Sequence, residues 1–467
     1  MTSKTSGFKA SLTLTDATML VAGSMIGSGI FIVSADIARN TGSAGWLMLV
    51  WAITGFMTLT AALSYGELSS MFPRAGGQYV YLKEAYNPLV SFVFGWTFFT
   101  IIQTATIAAV GVAFAKFTAY LIPQLDEDII VADLGFLQIS SAQLVSIAVI
   151  LLLTIVNTRG VNSGKTVQTF FTFVKIASLL GLVLFGFFAF NPEVWQNNWS
   201  GGNAWNLRHL SVDGTLSDYT LFAALGAVAA GMVGAIFSSD SWHSSSSVAA
   251  EIKNPSRNVG LSLALGTIIV TVVYLLTNLM YTGVVSMEEM AAADKDRVAI
   301  TVAQQIFGPV GITVIAVMIM VSTFGCNNGL IMAGARVYYS MAEDGLFFKK
   351  VGTLNKFSVP AVALWLQCLI ASIWSLSGKY GDLLDMISMV VVIFYVLAII
   401  GIFKLRKTRP DLPRPYKAFG YPVLPFIYIL MGTAFCVLMV IYKPDYTWPG
   451  IVIASLGIPV YYLIKRK

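Results

Sequence analysis

Charge is scarce in this sequence: of 467 residues only 11% are Asp, Glu, Lys or Arg, where a soluble domain carries about 25%. That shortage argues against a soluble enzyme and against a disordered chain, which needs many charges and few apolar residues. Cysteine is scarcer still. Cys326, Cys368 and Cys436 all lie inside apolar stretches, so they build neither a disulfide framework nor a metal-ligand spacing. No P-loop, dinucleotide fingerprint or metalloprotease motif occurs, and no cofactor is expected. The ten-residue alternating segments of an outer-membrane barrel are missing as well. What abounds is apolar residues, at 57%. That supply matches twelve membrane helices of about 20 residues each, so the expected fold is an all-α membrane protein with the lipid bilayer as its main partner.

A window of about 20 residues places the spans near 14–38, 45–70, 88–121, 140–158, 166–190, 220–250, 258–283, 309–341, 360–378, 382–403, 422–441 and 448–464. Pro73, Pro88, Pro255, Pro309, Pro360 and Pro422 mark boundaries. Segment 287–308 is weakly apolar and reads as short helices outside the membrane. Lys4 and Lys9 precede the first apolar run like a signal peptide, but no cleavage site and soluble domain follow, so the run reads as a retained span. With both termini in the cytoplasm, 21 Lys and Arg fall on the cytoplasmic side and seven outside, which is the bias that sets orientation. The net charge of +6 is therefore topological and implies no nucleic acid. The remaining basic residue, Lys175, lies within a span.

Two spans carry interruptions. The first contains Gly23-Ser24-Met25-Ile26-Gly27-Ser28-Gly29-Ile30-Phe31. Gly23 and Gly27 fit close helix packing, whereas Ser28-Gly29 directly after them fits a break. The sixth contains Phe237-Ser238-Ser239-Asp240-Ser241-Trp242-His243 followed by four serines, nine polar residues in eleven. Either this is a solvated loop after a short span, or the span is broken. Losing a span would put one terminus outside and spoil the charge asymmetry, which favours the break. Non-helical backbone at membrane depth survives only where it lines a cavity or is buried in protein. Interrupted segments at matching positions of two halves point to a transporter's binding site. Bare N–H groups at one half-helix start suit a carboxylate, and bare carbonyls suit an ammonium. An α-amino acid carries both.

These motifs resemble the amino acid–polyamine–organocation superfamily, and within it the L-type (LAT-like) bacterial exchangers and permeases. The resemblance spans nearly the whole chain through GSMIGSGIF at 23–31, YGELSSMFPRAGGQYVYLKEAY at 65–86 and GVNSGKTVQTFFTFVKI at 160–176. EIKNPSRNV at 251–259 and ARVYYSMAEDGLFF at 335–348 support it. It implies one transporter domain over 1–467 with a LeuT-type five-plus-five inverted repeat. The repeats are 14–190 and 220–403, their first helices broken, and two extra helices follow at 422–464. It implies that Ser28 and Gly29 offer amides to the substrate carboxylate, with Ile26 in the same turn. The carbonyls of Met25, Phe237 and Asp240 would hold the ammonium, with Ser238 and Ser241 beside them and the Phe237 ring as a cap. Lys175 matches the lysine that stands in for sodium and bridges the first and eighth helices, facing Ser322 and Thr323. Animal members pair with a partner through a cysteine after the third span. None occurs between 122 and 139, so no disulfide-linked ancillary subunit is expected.

Several residues carry two readings. The chain departs from the family at Ser238, Ser239, Asp240 and Ser241, so Asp240 either meets a second positive group on the substrate or bonds neighbouring serines. His243 and Trp242 are candidates for pH sensing or gating, or are simply members of a polar cluster. Glu67 is either part of an inner gate or an interfacial carboxylate paired with a base. Gly76-Gly77 suggests a tight turn. The basic run Lys404–Lys417 reads as a cytoplasmic retention signal or a lipid-headgroup contact. The expected function is sodium-independent α-amino acid transport in the cell membrane by alternating access, as an exchanger. The alternative is a proton-coupled symporter, with a cationic or amine-modified amino acid among its candidate substrates. An enzyme is not expected, because Asp240, His243 and the serines are too close in sequence for a triad.

Overall fold

The computed structural model describes residue 8 and residues 10–465, save 134, 136, 137, 201, 202, 378 and 379; the side chains of 161–165, 377–382 and 446 lie outside that description. Of the basic residues that orient the chain, Lys4, Lys9, Lys379, Arg466 and Lys467 fall outside it, as does the Lys165 side chain.

Among the described residues eleven helices are long and apolar enough to cross a membrane. The remaining expected span is the helix Ala361–Ser377, one residue short of that length and adjoining residues that are not described. The first span is cut into α1 (Leu14–Met25), α2 (Gly29–Ile32) and α3 (Ser34–Thr41). Then come α4 (Ala44–Met71), α5 (Pro88–Leu121), α6 (Ser141–Thr158) and α7 (Val161–Phe188). The sixth span is α8 (Leu221–Ser238), a non-helical stretch, and the single turn α9 (Ser244–Ser247). The rest are α10 (Pro255–Val284), α11 (Pro309–Glu343), α12 (Ala361–Ser377), α13 (Tyr380–Thr408), α14 (Val423–Tyr442) and α15 (Pro444–Lys465). Segment 287–307 forms two short helices, Met287–Ala291 and Val298–Phe307.

Local chemistry sets many of these ends. Thr13 and Asp16 form a capping box that starts α1, and Ser140 with Gln143 does the same for α6. Pro88, Pro255 and Pro309 sit in first turns, where the missing N–H costs nothing. Gly42, at φ +59, closes α3 in the left-handed conformation. Some boundaries differ from expectation: α7 starts at Val161, α15 at Pro444, and α13 continues to Thr408, through Lys404, Arg406 and Lys407. Those side chains emerge where the helix meets a polar cluster, so the charges do not end it.

The buried interior lies where α1, α4, α5, α8, α10, α11 and α13 meet, while α7, α14 and α15 leave large apolar side chains such as Phe173, Phe188 and Leu430 exposed. On a membrane protein such a ring is the lipid-facing surface. Inside, several polar groups are paired across helices, which offsets the cost of burying them. Asn157 of α6 donates to Asn328 of α11 (2.9 Å), which donates to Gln168 of α7 (3.1 Å).

One end of the bundle is tied by charge. Glu251 and Arg336, both buried, pair at 2.8 Å. The Glu67 carboxylate takes two hydrogen bonds from Arg406 (2.9 and 2.6 Å) and one from the Ala418 N–H (2.8 Å). Tyr79 and Lys83 share Asp344. The segment before α1 is stitched into the same end: the N–H groups of Ser11 and Leu12 donate to the Glu251 carbonyl, and Lys253 N–H donates back to Leu12.

Candidate functional site

The two interruptions lie side by side in the middle of the bundle. A Cβ placed on Gly29 would fall 1.9 Å from Ser238 Oγ and 3.0 Å from its Cα, so the first break touches the sixth span with no room for a side chain.

At the first break α1 ends at Met25, Ile26 turns to extended backbone (φ −73°, ψ 91°), and helix resumes at Gly29. Stopping a helix bares carbonyls, and each one here has a partner. Gly23 and Ile26 accept from Lys175 Nζ at 2.5 and 2.7 Å. The Ser24 carbonyl faces Cys326 Sγ (3.0 Å), and Met25 accepts from the Tyr274 hydroxyl (3.0 Å). Ile26 and Gly27 lie 3.3 and 3.2 Å from Ser322 Oγ. Lys175 also reaches the Ser322 carbonyl at 3.2 Å, so its ammonium joins the first break to α11. Beyond these carbonyls α2 starts at Gly29, which with Ser28 lines the hollow between the breaks.

At the sixth break α8 ends at Ser238, and Ser241 adopts φ +64°, a conformation that non-glycine residues seldom take. The serines satisfy themselves locally: Ser238 Oγ donates to the Gly234 carbonyl (2.7 Å), Ser244 to Ser241 (2.5 Å) and Ser246 to His243 (2.7 Å). Ser245 is bonded to Ser262. Asp240 receives a short hydrogen bond from the Tyr395 hydroxyl, and His243 Nδ1 lies 3.4 Å from that same oxygen. Trp242 is wedged against Tyr65 and Tyr395, ring centroids 4.7 and 5.2 Å apart. The Gly76-Gly77 turn closes on this segment, Gly76 N–H donating to the Ser247 carbonyl (3.0 Å).

Between the breaks is a small hollow lined by Met25, Ser28, Gly29, Phe237, Ser238, Asp240 and Ser241, with Thr106, Cys326 and Leu330 among its walls. All these residues are buried, so the hollow lies within the bundle. Asp240 also lines a second small hollow, reaching between α4, α13 and α14. A larger apolar groove between α7 and α11 lies on the outer surface, away from both breaks.

Most residues singled out from sequence thus converge. Thr323 does not: its hydroxyl bonds back to Ile319 and Met320 of its own helix. Glu67 lies apart from the hollow, in its arginine cluster, and the run Lys404–Lys417 supplies that cluster through Arg406 and Arg414. Tyr274 and Tyr395 escaped the sequence reading. Tyr274 is central, because its hydroxyl lies within 3.1 Å of carbonyls from both breaks, Met25 and Ser238. The only available signal was a phenol in an apolar span, whose O–H needs a partner when buried.

A bundle of apolar helices, two of them broken around a buried hollow with polar lining, defines a multi-pass membrane protein of the transporter class. The family model for amino acid permeases matches residues 12–462, and the chain belongs to that family, within the amino acid–polyamine–organocation superfamily. It is 28% identical to the serine/threonine exchanger SteT of Bacillus subtilis over 472 residues, covering 100% of this chain and 99% of that one. It is 27% identical to the mouse b(0,+)-type amino acid transporter 1, covering 99% of this chain and 89% of the relative. Identity to the human cystine/glutamate transporter is 28%, covering 97% and 85%.

Proposed function

We propose that this protein carries α-amino acids across the cell membrane by alternating access, without sodium, exchanging one for another. The observation that carries the reading is the buried hollow lined by residues of both breaks. The N–H groups at the start of α2 receive the substrate carboxylate. Carbonyls of Met25, Phe237 and Asp240 receive the ammonium, and the Phe237 ring covers it. Lys175 takes the part of a resident cation: an ammonium held by carbonyls of two helices does what a sodium ion would do there, and it does not leave with the substrate. A carrier with a fixed cation gains no driving force from sodium, so it equilibrates or exchanges.

In this reading 14–190 and 220–403 are inverted repeats, Ala361–Ser377 is the ninth of twelve spans, and both termini are cytoplasmic. The arginine–carboxylate cluster then closes the cytoplasmic side, and rocking toward the cytoplasm must part Glu251 from Arg336 and free Leu12. The ligand drives this only through its different affinity for the two states. Relatives of this chain are transporters, and no chemical conversion of substrate is part of the mechanism.

The test is counterflow. Purified protein in liposomes preloaded with unlabelled amino acid takes up labelled amino acid without sodium, and does so far more slowly into empty liposomes. Uptake into empty liposomes driven by an inward pH gradient would replace exchange with proton symport.

A further inference from the structure

Lys175 is the last of three polar rungs on one face of α7. Gln168, Thr172 and Lys175 follow at spacings of four and three, which align side chains along a helix. All three are buried. Lys175 holds carbonyls of the first break, whereas the two rungs before it belong to a separate chain of hydrogen bonds. The Asn157 amide of α6 donates to Asn328 of α11 (2.9 Å), and Asn328 donates to Gln168 Oε1 (3.1 Å). Gln168 Nε2 donates to Thr172 Oγ1 (3.4 Å), and Thr172 donates to the main-chain oxygen of Met19 in α1 (3.1 Å). Every donor points the same way, so one polarised chain joins four helices and ends on the backbone of α1.

The backbones close tightly on Gln168. A Cβ on Gly23 of α1 would collide with Thr172 Oγ1 and Gln168 Nε2, and one on Gly329 of α11 would fall 3.0 Å from both amide atoms of Gln168. The other face of α1 is built differently: Val21 packs over Gly266 of α10, an apolar contact. Parting an apolar contact exposes its surface to water at full cost. Parting the Gln168 seam exchanges hydrogen bonds within the protein for bonds to water, at little net cost. Of these two faces of α1, the one against α7 and α11 is the one that opens.

We propose that Gln168 is a positioning residue that latches the half-helix α1 to α11, and so sets how often the hollow opens toward the charge-tied end of the bundle. It touches no substrate and acts through Thr172 and Asn328. This rests on the alternating-access reading above and names what holds its closed state along α1. Hydration sets the direction of the effect. Without the Gln168 amide, the Asn328 N–H loses its acceptor while the seam is shut, and water replaces that acceptor once α1 swings away. The variant therefore favours the open state.

Cys326 reports the opening, because it lines the hollow with its Sγ against the Ser24 carbonyl. In protein carrying Cys368→Ala and Cys436→Ala, a membrane-impermeant maleimide is applied without substrate to right-side-out and inside-out vesicles, and the two labelling rates are compared. Gln168→Leu is expected to raise the rate from the charge-tied face about ten-fold, the effect of one orphaned buried group, and to leave the opposite rate within about two-fold. Thr172→Val, close in size to the native residue, raises the same rate about three-fold, and Thr172→Ser, which keeps the hydroxyl, returns it to the native value. Because the two faces are compared within each variant, its level of insertion cancels. Equal increases at both faces, the mark of a merely loosened fold, overturn the latch, and so do unchanged rates in both Gln168→Leu and Thr172→Val. In either case counterflow by the native protein leaves exchange standing. Native protein that neither exchanges amino acids nor is labelled from either face overturns alternating access and the latch with it.

Discussion

The two breaks solve the same problem in opposite ways. Where the first span stops, the carbonyls of Gly23 through Gly27 are satisfied from outside, by Lys175, Cys326, Tyr274 and Ser322 on three other helices. Where the sixth stops, Ser238, Ser244 and Ser246 satisfy carbonyls of their own segment. A break held by neighbours is sensitive to those neighbours. One held by its own hydroxyls carries its geometry with it, and its remaining side chain, Asp240, is left to face a ligand. In the proposed mechanism the first break is accordingly the one coupled to other helices, and the sixth the one whose side chains face the substrate.

This contrast can be broken. Lys175→Met should have the largest effect, because it orphans the Gly23 carbonyl, leaves Ile26 only its long Ser322 Oγ contact and cuts the tie between the first break and α11. Each orphaned buried group costs about 1–3 kcal/mol, so exchange should fall by roughly 100-fold or more and the melting temperature should drop. Near-normal counterflow would show that the first break does not depend on its neighbours. Gly29→Leu should come next. With Ser238 Oγ only 1.9 Å from the added Cβ, the two breaks must be driven apart, and substrate-induced thermal stabilisation should vanish while the protein still inserts.

Tyr274→Phe sharpens the comparison, because its hydroxyl is the one group shared by both breaks. Losing it should weaken substrate binding by roughly ten-fold, as expected for a hydrogen bond of about 1–1.5 kcal/mol, with little loss of stability. Ser244→Ala should have the smallest effect, under about 1 kcal/mol in thermal unfolding and less than about three-fold in exchange. A large loss there would mean that the serines do more than tie up their own chain.

The sequence made the breaks legible because glycine and polar residues within apolar runs are local signals. Gly27-Ser28-Gly29 and Ser238–Ser241 announce non-helical backbone before any contact is known, and Lys175 announces a buried partner because an ammonium at that depth must have one. Thr323 could not be placed so, since a helical threonine can bond its own chain or a neighbour with the same composition around it. The partners of Glu67 were equally hidden: Arg406 lies more than 300 positions away, in a run whose charge alone reads as a cytoplasmic flank. Tyr395 gave no signal, because a phenol is ordinary in an apolar helix until a buried acid is set beside it.

Composition and the positions of Lys and Arg were enough to fix an all-helical membrane chain and its two interruptions, because the bilayer allows few ways to hide backbone and charge. Which hydroxyl meets Asp240, which carbonyls hold Lys175, and that the two breaks lie side by side around one hollow were decided only when the helices came together. Those facts depend on distances of about 3 Å between residues far apart in the chain, and no local pattern encodes them.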